Sequence, residues 1–478
     1  MCRLLTKSLH FLLFCLLAAL ALPVHADVAV DTESLELRFS DFGDLMSVRS
    51  CHPACNDPDA HTQNFSSYRG FVSMNRDSGL VFELDRRNGD NSVELIFTHL
   101  LSGEVRRWRI PHTGWSLGLE VSRTRDMAIA SGEGFTPPDV PGFGGWLESL
   151  RYVVIEDNNI SQYGLDENVD SFATSEGWSG YRNRFWAALI KPEQPVSVTL
   201  RTGENQSEAQ LDLRVEGSGP YRYVIYAGPV EPDALQSSYP ELESLMYSGL
   251  WSWLRWLCQG MFILLAVIQS LVPSWALAIV LMSLLVQLVM LPLNSMAERI
   301  QAEVQKTESR IAPRLDEIKQ EYKGAEQAER ILALYREEKV HPLYSLKSLA
   351  GVMVIIPVFI AAFNMLSENI WLSGESFLWI SDLSLPDTFM SLPFTLPFLG
   401  GSLNLLPLVM IVFSIFASIL RNRAEENVQL RSRNNRNLVL MSLVFFLLFY
   451  TFPAGMVLYW VVNNAISLLT SIRRTALG

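Results

Sequence analysis

Hydrophobic and polar positions follow different periods in the two halves of the chain. From Asp27 to about Pro240, short runs such as SLELRFSD, PVSVTLRTG, AQLDLRVEGSG and YRYVIYAGP place an apolar residue at every second position. That alternation, bounded by Gly, Pro or Asp, is typical of strands with one buried face. The sequence therefore predicts a β-sandwich domain over residues 27–245. GWSGY, which begins at Gly177, lacks the second glycine of a nucleophile elbow, so no catalytic set stands out.

Residues 246–478 contain apolar runs long enough to cross a bilayer. A run at 253–272 carries Arg255 and leaves too few residues for a turn before the next span, so we predict an interfacial helix at 250–272. The predicted fold class is multi-domain: an exported β-sandwich domain followed by an α-helical membrane domain with five core transmembrane helices. These helices are predicted at about 274–293, 345–366, 404–420, 437–452 and 453–471.

Residues 1–26 have the pattern of a signal peptide. Two basic residues precede an apolar core from Leu9 to Leu22, and small residues occupy positions 24 and 26. We predict cleavage after Ala26. An uncleaved anchor helix is the alternative, because the apolar core is near the lower length limit for a span.

Charge predicts the orientation of the membrane half. Residues 27–246 hold 34 acidic and 18 basic side chains, segment 367–403 has no Lys or Arg, and segment 421–436 has five arginines. Since basic loops stay in the cytoplasm, the acidic domain is predicted outside and the C-terminus inside. The acidic excess also argues against direct binding of nucleic acid, which needs clustered Lys and Arg.

A segment rich in both charge signs separates the first two predicted spans. Residues 294–342 are dominated by Glu, Lys, Gln, Arg, Ala and Leu, and Lys323-Gly324 offers a turn. The composition predicts two antiparallel helices, which form a cytoplasmic hairpin.

Several predicted spans carry polar residues at helical spacing. At 100° per residue, Ser283, Gln287 and Asn294 lie within about 40° of one another. Further polar positions are Lys347 at the start of the second span, Ser414 and Ser418 on the third, and Asn463, Ser467 and Thr470 on the last. Such residues either pack helices together through hydrogen bonds or line a shared hydrophilic groove. No nucleotide-binding loop and no paired intramembrane carboxylates accompany them.

The cysteines of the exported half favour a local disulfide. Cys51 and Cys55 are four residues apart in a chain directed to an oxidising compartment. A zinc site with His52 and His61 is a weak alternative, because four ligands at recognised spacing are not present. We predict no cofactor, no metal and no enzymatic activity.

Ordered motifs in the membrane half resemble the YidC-type membrane protein insertases, of the YidC/Oxa/Alb family. They are a span ending in MLPL, a charged hairpin ending in LYREEKVHPL, FLWISDLSLPD, NLLPLVM and FPAGMVLYWVVNN. Weaker blocks, GWSGYRNRFWAALIKP and YVIYAGPVEPDAL, extend the likeness into the exported domain.

The resemblance implies a bacterial inner-membrane insertase and chaperone that works without nucleotide. Its partners would be newly made membrane proteins, membrane lipids and, as further candidates, the ribosome and a Sec-type translocon. In this family a hydrophilic groove takes up the polar flank of an arriving segment.

Three departures distinguish this chain from the family pattern. The groove arginine falls on Gln287, YSLKSLAGVMVIIP replaces the usual Gly- and Pro-containing start of the second span, and the N-terminal helix looks cleavable. The alternative functions are a non-inserting scaffold or assembly factor with the same fold, and a small-molecule transporter, although no internal repeat is visible.

Overall fold

The computed structural model describes residues 28–67, 70–74, 81–123, 126–156, 159–165, 172–174, 177–202, 208–214, 219–341, 346–422 and 428–477. The predicted signal peptide lies outside these ranges. The chain divides into two compact units, of which the first comprises residues up to Thr136, Leu150–Pro229 and Asp233–Leu242. The second comprises Pro137–Ser149, Val230–Pro232 and Glu243–Gly478. The predicted domain limits, 27–245 and 246–478, remain a prediction, and the segment at Pro137–Ser149 groups with the membrane half.

The described part of the first unit contains two antiparallel sheets. Its strands are β1 (Val28–Asp31), β2 (Leu35–Phe39), β3 (Leu45–His52), β4 (His61–Ser66), β5 (Val72–Met74), β6 (Phe82–Asn88), β7 (Ser92–His99), β8 (Val105–Pro111), β9 (Ser116–Val121), β10 (Met127–Ala130), β11 (Arg151–Glu156), β12 (Asn159–Gly164), β13 (Phe172–Thr174), β14 (Trp178–Arg182), β15 (Trp186–Pro192), β16 (Val196–Thr202), β17 (Ala209–Arg214) and β18 (Tyr221–Pro229). Sheet A has the order β1-β2-β3-β5-β10-β17-β16-β13, with β4 also paired to β3. Sheet B has the order β12-β11-β14-β15-β18-β9-β8-β7-β6.

Alternation along the strands builds the core between the sheets. On β17, Leu211 and Leu213 are buried while Asp212 between them is only partly covered. Aromatic side chains meet across the two sheets: Phe39 of sheet A lies 5.3 Å, centroid to centroid, from Trp108 of sheet B. The predicted β-sandwich is confirmed.

A buried charge cluster joins the turn before β3 to β8. Arg106 donates from Nε to Glu104 Oε1 at 3.0 Å and from Nη1 to Asp44 Oδ1 at 3.1 Å, and all three side chains are 0% exposed. Arg106 Nη1 also donates to the carbonyl of Phe42 at 2.8 Å, and Trp108 Nε1 donates to that of Gly43 at 2.8 Å. These bonds offset much of the cost of burying three charges, while Arg106 Nη2 is buried without a hydrogen-bond partner in the described part of the chain.

The described helices are α1 (Pro232–Ser238), α2 (Ser252–Gln269), α3 (Trp275–Glu321), α4 (Gly324–Glu337), α5 (Leu346–Ser367), α6 (Leu405–Asn422), α7 (Val428–Phe449) and α8 (Ala454–Leu477). Among described residues, three helical stretches are long and apolar enough to cross a membrane: Ser252–Gln269, Trp275–Glu321 and Ala454–Arg473. Shorter apolar stretches lie at Ile355–Ser367, Leu405–Leu420 and Asn435–Phe449. The predicted helical membrane domain is confirmed. The interfacial placement of α2 remains a prediction, since that helix is itself long and apolar enough to span.

The first span and the first arm of the charged hairpin form one continuous helix, α3, which includes Pro292 and Pro313. Gly324 begins α4 with a φ of +69°, a left-handed value that favours glycine, at the predicted turn. Arg314 on α3 bonds Glu337 at 2.8 Å and Glu338 at 3.2 Å. These exposed ion pairs lie between the two arms of the hairpin.

A two-stranded hairpin that the sequence analysis did not anticipate precedes α6. It consists of β19 (Thr388–Leu396) and β20 (Gly400–Asn404). Asp387 Oδ2 accepts hydrogen bonds from the backbone amides of Leu405 at 2.9 Å and Leu406 at 2.7 Å. This carboxylate therefore satisfies two amides at the start of α6 that have no partner within the helix.

Arg106→Leu is expected to destabilise the sandwich by about 3–5 kcal/mol, because Asp44 and Glu104 are left buried without their cation. Hydrogen exchange at the amides of β3 and β8, in the full-length protein in detergent, measures the change in the free energy of unfolding. Arg109→Leu is the matched control, since its ion pair with Glu94 is exposed, and its effect is expected to be small. Equal stability of Arg106→Leu and wild type would show that the cluster is dispensable.

Candidate functional site

Gln287 lies in the apolar part of α3 and bonds to a residue of α8. Its Nε2 donates to Asn463 Oδ1 at 2.8 Å. Asn463 Nδ2 in turn donates to the backbone carbonyl of Tyr459 at 2.9 Å, one turn earlier on the same helix. The amide pair thus ties α3 to α8 across 176 positions of sequence.

Asn294 extends this network along α3. Its Nδ2 lies 3.4 Å from Gln287 Oε1, at the long end of the hydrogen-bonding range. Gln287, Asn294 and Asn463 are each half-buried. The three amides therefore form one polar patch that is reachable from outside the helix bundle, and we call it the amide patch.

Ser283 does not join the amide patch, although it shares the predicted stripe. Its side chain is fully buried, and its hydroxyl donates to the carbonyl of Ile279 at 2.7 Å. A serine that bonds the carbonyl one turn earlier satisfies itself within its own helix. Its predicted place in a groove remains untested.

The other predicted site residues lie elsewhere on the helices. Ser414 Oγ lies 3.4 Å from Ser442 Oγ, which links α6 to α7. Ser418 is buried on α6, and Ser467 is half-buried on α8. Lys347 belongs to the first turn of α5, but its side chain lies outside the described part of the chain. The assignment of these residues to a groove remains a prediction.

Ser442 is a polar contact that sequence reasoning missed. It is a single hydroxyl among the apolar residues 438–449 of α7. Only the fold brings it to Ser414, 28 positions away.

In the sandwich, Cys51 and Cys55 are joined by a disulfide. The ring of His52 lies near that of Trp115, tilted by 56°, with ring centroids 5.7 Å apart. Burial, with a smaller effect of the neighbouring His61, lowers the pKa of His52 to about 4. Within the described residues no group of three or more His, Cys, Asp or Glu side chains is placed to hold a metal ion.

Known proteins resemble this chain over the membrane half and, for the curated relatives, beyond it. The family model described as the 60Kd inner membrane protein matches residues 267–475. A protein of Marinomonas sp. (strain MWYL1), described as membrane protein insertase YidC, is 28% identical over 341 residues, which are 69% of this chain and 56% of that protein. A protein of Cupriavidus taiwanensis with the same description is 32% identical over 309 residues, 62% of this chain and 50% of its own.

The chain thus spans about half the length of these curated relatives. A solved structure described as an active YidC insertase with its first transmembrane domain resolved is 17% identical, covers 94% of this chain and 93% of its own, and has a TM-score of 0.36.

A double-mutant cycle on Gln287→Leu and Asn463→Leu is expected to give a coupling energy of about 0.6 kcal/mol and at most about 1.7 kcal/mol, as for other hydrogen bonds between membrane helices. The measurement is the free energy of unfolding in micelles. Ser414→Ala serves as a control, because its contact lies between other helices and should be additive with Gln287→Leu. Purely additive effects of Gln287→Leu and Asn463→Leu would mean that the amide bond contributes nothing to stability.

Proposed function

The chain belongs to the YidC-type family of bacterial inner-membrane proteins, and on that premise we propose that it is a membrane protein insertase and chaperone. Its task is the integration and folding of newly made membrane proteins. The observation that carries the proposal is the half-buried amide patch of Gln287, Asn294 and Asn463 on the apolar parts of α3 and α8. It stands within the region, 267–475, that matches the family.

The physical problem is the passage of a polar flank through hydrocarbon. Each polar group without a partner there costs several kcal/mol. Amides offer donors and acceptors part of the way across, so the flank exchanges water for protein hydrogen bonds. Burial of the client's apolar segment in lipid then supplies the driving force, at about 0.8 kcal/mol per methylene, and no nucleotide is hydrolysed.

Gln287 makes this patch uncharged at the position where the family pattern has arginine. An amide hydrogen-bonds to a client without Coulomb attraction to acidic flanks. Lys347, at the start of α5, is the candidate for supplying the missing charge. The clients of this chain would then be selected by the polarity of their flanks more than by their charge.

The proposed orientation follows the charged loops. The sandwich lies in the periplasm, whereas the charged hairpin at 294–342 and the C-terminal end of α8 lie in the cytoplasm. The hairpin then presents exposed ion pairs, such as Arg314 with Glu337, to an arriving client, to the ribosome or to a Sec-type translocon.

A scaffold or assembly factor without insertion activity is the second candidate. The observation in its favour is that Gln287 and Asn463 bond each other directly at 2.8 Å and so tie two helices together. Depletion of the protein followed by a census of membrane proteins separates the two. Only the insertase hypothesis predicts that, after depletion, newly made proteins with short exported loops fail to integrate.

Gln287→Arg is expected to leave the fold intact and to extend insertion toward clients with acidic flanks, whereas Gln287→Leu should impair clients with polar flanks. An arginine facing a dry interface costs about 2.5–3.5 kcal/mol, but one facing water keeps its hydration. Insertion of matched clients into inverted vesicles measures both effects. If Gln287→Arg is degraded while Gln287→Leu inserts every client normally, the amide patch serves only to join helices.

Deletion of residues 300–338 is expected to abolish insertion while the protein stays in the membrane, because the hairpin is the proposed receiving site. Arg314→Ala is the matched control and should keep most activity, since exposed ion pairs contribute little individually. The same vesicle assay, with fractionation of the deletion variant, measures both. Full activity of the deletion would remove the hairpin from the mechanism.

A further inference from the structure

Large aromatic side chains are exposed at the end of the helix bundle where α6 begins. On the β19–β20 hairpin, Phe389, Phe394 and Phe398 are 51%, 57% and 76% exposed. On a short 3-10 helix at Gly142–Trp146, Phe143 and Trp146 are 54% and 64% exposed. A soluble protein seldom leaves so many large apolar side chains uncovered in one place.

The two segments touch each other and form one surface. A Cβ atom on Gly142 would lie 2.2 Å from the carbonyl oxygen of Phe398, and one on Gly400 would lie 2.5 Å from Cγ of Pro141. Both glycines have positive φ, +64° and +79°, a backbone conformation in which a residue with a Cβ atom would be strained. We call the surface formed by Phe143, Trp146, Phe389, Phe394 and Phe398 the aromatic platform.

The base of the aromatic platform is fixed to the helix bundle. Tyr450, in the turn between α7 and α8, donates its hydroxyl to the carbonyl of Ser402 at 2.8 Å. Asn404 Nδ2 donates to the carbonyl of Tyr450 at 2.6 Å. The hydroxyl of Thr451 accepts a hydrogen bond from the amide of Gly144 at 3.0 Å. These contacts join the backbone of both ring-bearing segments to the turn between α7 and α8.

Composition indicates an apolar environment for this hairpin. No Asp, Glu, Lys or Arg occurs between Asp387 and Arg421. An isolated two-stranded hairpin is at best marginally stable in water, and one in contact with water usually carries polar residues on one face. All nine residues of β19 are exposed or half-buried, and more than half of them are apolar.

We propose that the aromatic platform lies in the bilayer interface, in contact with the lipids of the leaflet at this end of the helices. Continuity supports lipid as the occupant, since β20 ends at Asn404 and the apolar helix α6 begins at Leu405 with no residue between them. Aromatic rings favour the level of the headgroups. The unpaired edges of a two-stranded sheet keep the hairpin out of the hydrocarbon centre.

The test places a fluorescent amino acid at position 394, or at position 87 as control, in the full-length protein in nanodiscs of phosphatidylethanolamine and phosphatidylglycerol. Arg87 is an exposed, charged residue of β6. We expect emission from position 394 to be quenched by lipids with a nitroxide near the headgroup, less by lipids with a deep nitroxide, and not by aqueous iodide. Emission from position 87 should respond to iodide alone.

A second measurement uses the unmodified protein, so that it does not depend on folding of a variant. Lipids with a diazirine near the headgroup are photolysed, and adducts are expected on peptides covering 141–147 and 388–404 but not 82–88. Iodide quenching at position 394, or absence of adducts on both aromatic peptides, would overturn the proposal. Quenching by neither lipid nor iodide would also overturn it, since a protein partner or a second copy would then cover the surface.

Discussion

An amide without a partner costs several kcal/mol inside a bilayer, and this constraint decides how the helices of the membrane half are joined. Gln287 would be such a group on α3 if α8 did not bring Asn463 within 2.8 Å of it. The side chain of Asn463 has both an acceptor and a donor. The acceptor Oδ1 bonds Gln287, and the donor Nδ2 bonds the carbonyl of Tyr459. The hydrogen bond therefore requires the faces of α3 and α8 that carry Gln287 and Asn463 to lie against each other.

The same requirement organises the end of the bundle where α6 begins. A helix start leaves amides without intrahelical partners, and at α6 the carboxylate of Asp387 accepts two of them. Asn404, the preceding residue, reaches the carbonyl of Tyr450 in the turn between α7 and α8. A strand can therefore pass directly into a membrane helix with the first two amides of that helix paired, and the apolar rings of the hairpin stay on the outside.

Periodicity predicted the parts of this fold that depend on local pattern. Strands such as β17, at Ala209–Arg214, and spans such as α6, at Leu405–Asn422, follow from alternation and from long apolar runs. The β19–β20 hairpin was missed, although Met390, Phe394 and Phe398 fall on even positions with Ser, Pro or Thr between many of them. Unless that alternation is taken into account, an uncharged segment next to a predicted span is interpreted as an apolar loop.

Contacts between distant segments could not be predicted in the same way. Helical spacing grouped Ser283 with Gln287, because both lie on one side of α3. Spacing cannot show which hydroxyl will turn to its own backbone, as Ser283 does toward Ile279. Nor can it identify Asn463 as a partner, since that depends on the rotation of two helices that are 176 positions apart.

The chemistry of the amide explains why glutamine suits this position. A glutamine has two donors and an acceptor, so Asn463 and Asn294 together engage both ends of the side chain. An arginine has five donors and no acceptor, and the single acceptor offered by Asn463 would leave most of them to water. With glutamine, the side-chain amides of the patch bond to one another, and under the proposed function a polar client segment would exchange one amide hydrogen bond for another. The exchange requires no net desolvation of a charge, which is the largest cost that a membrane site faces.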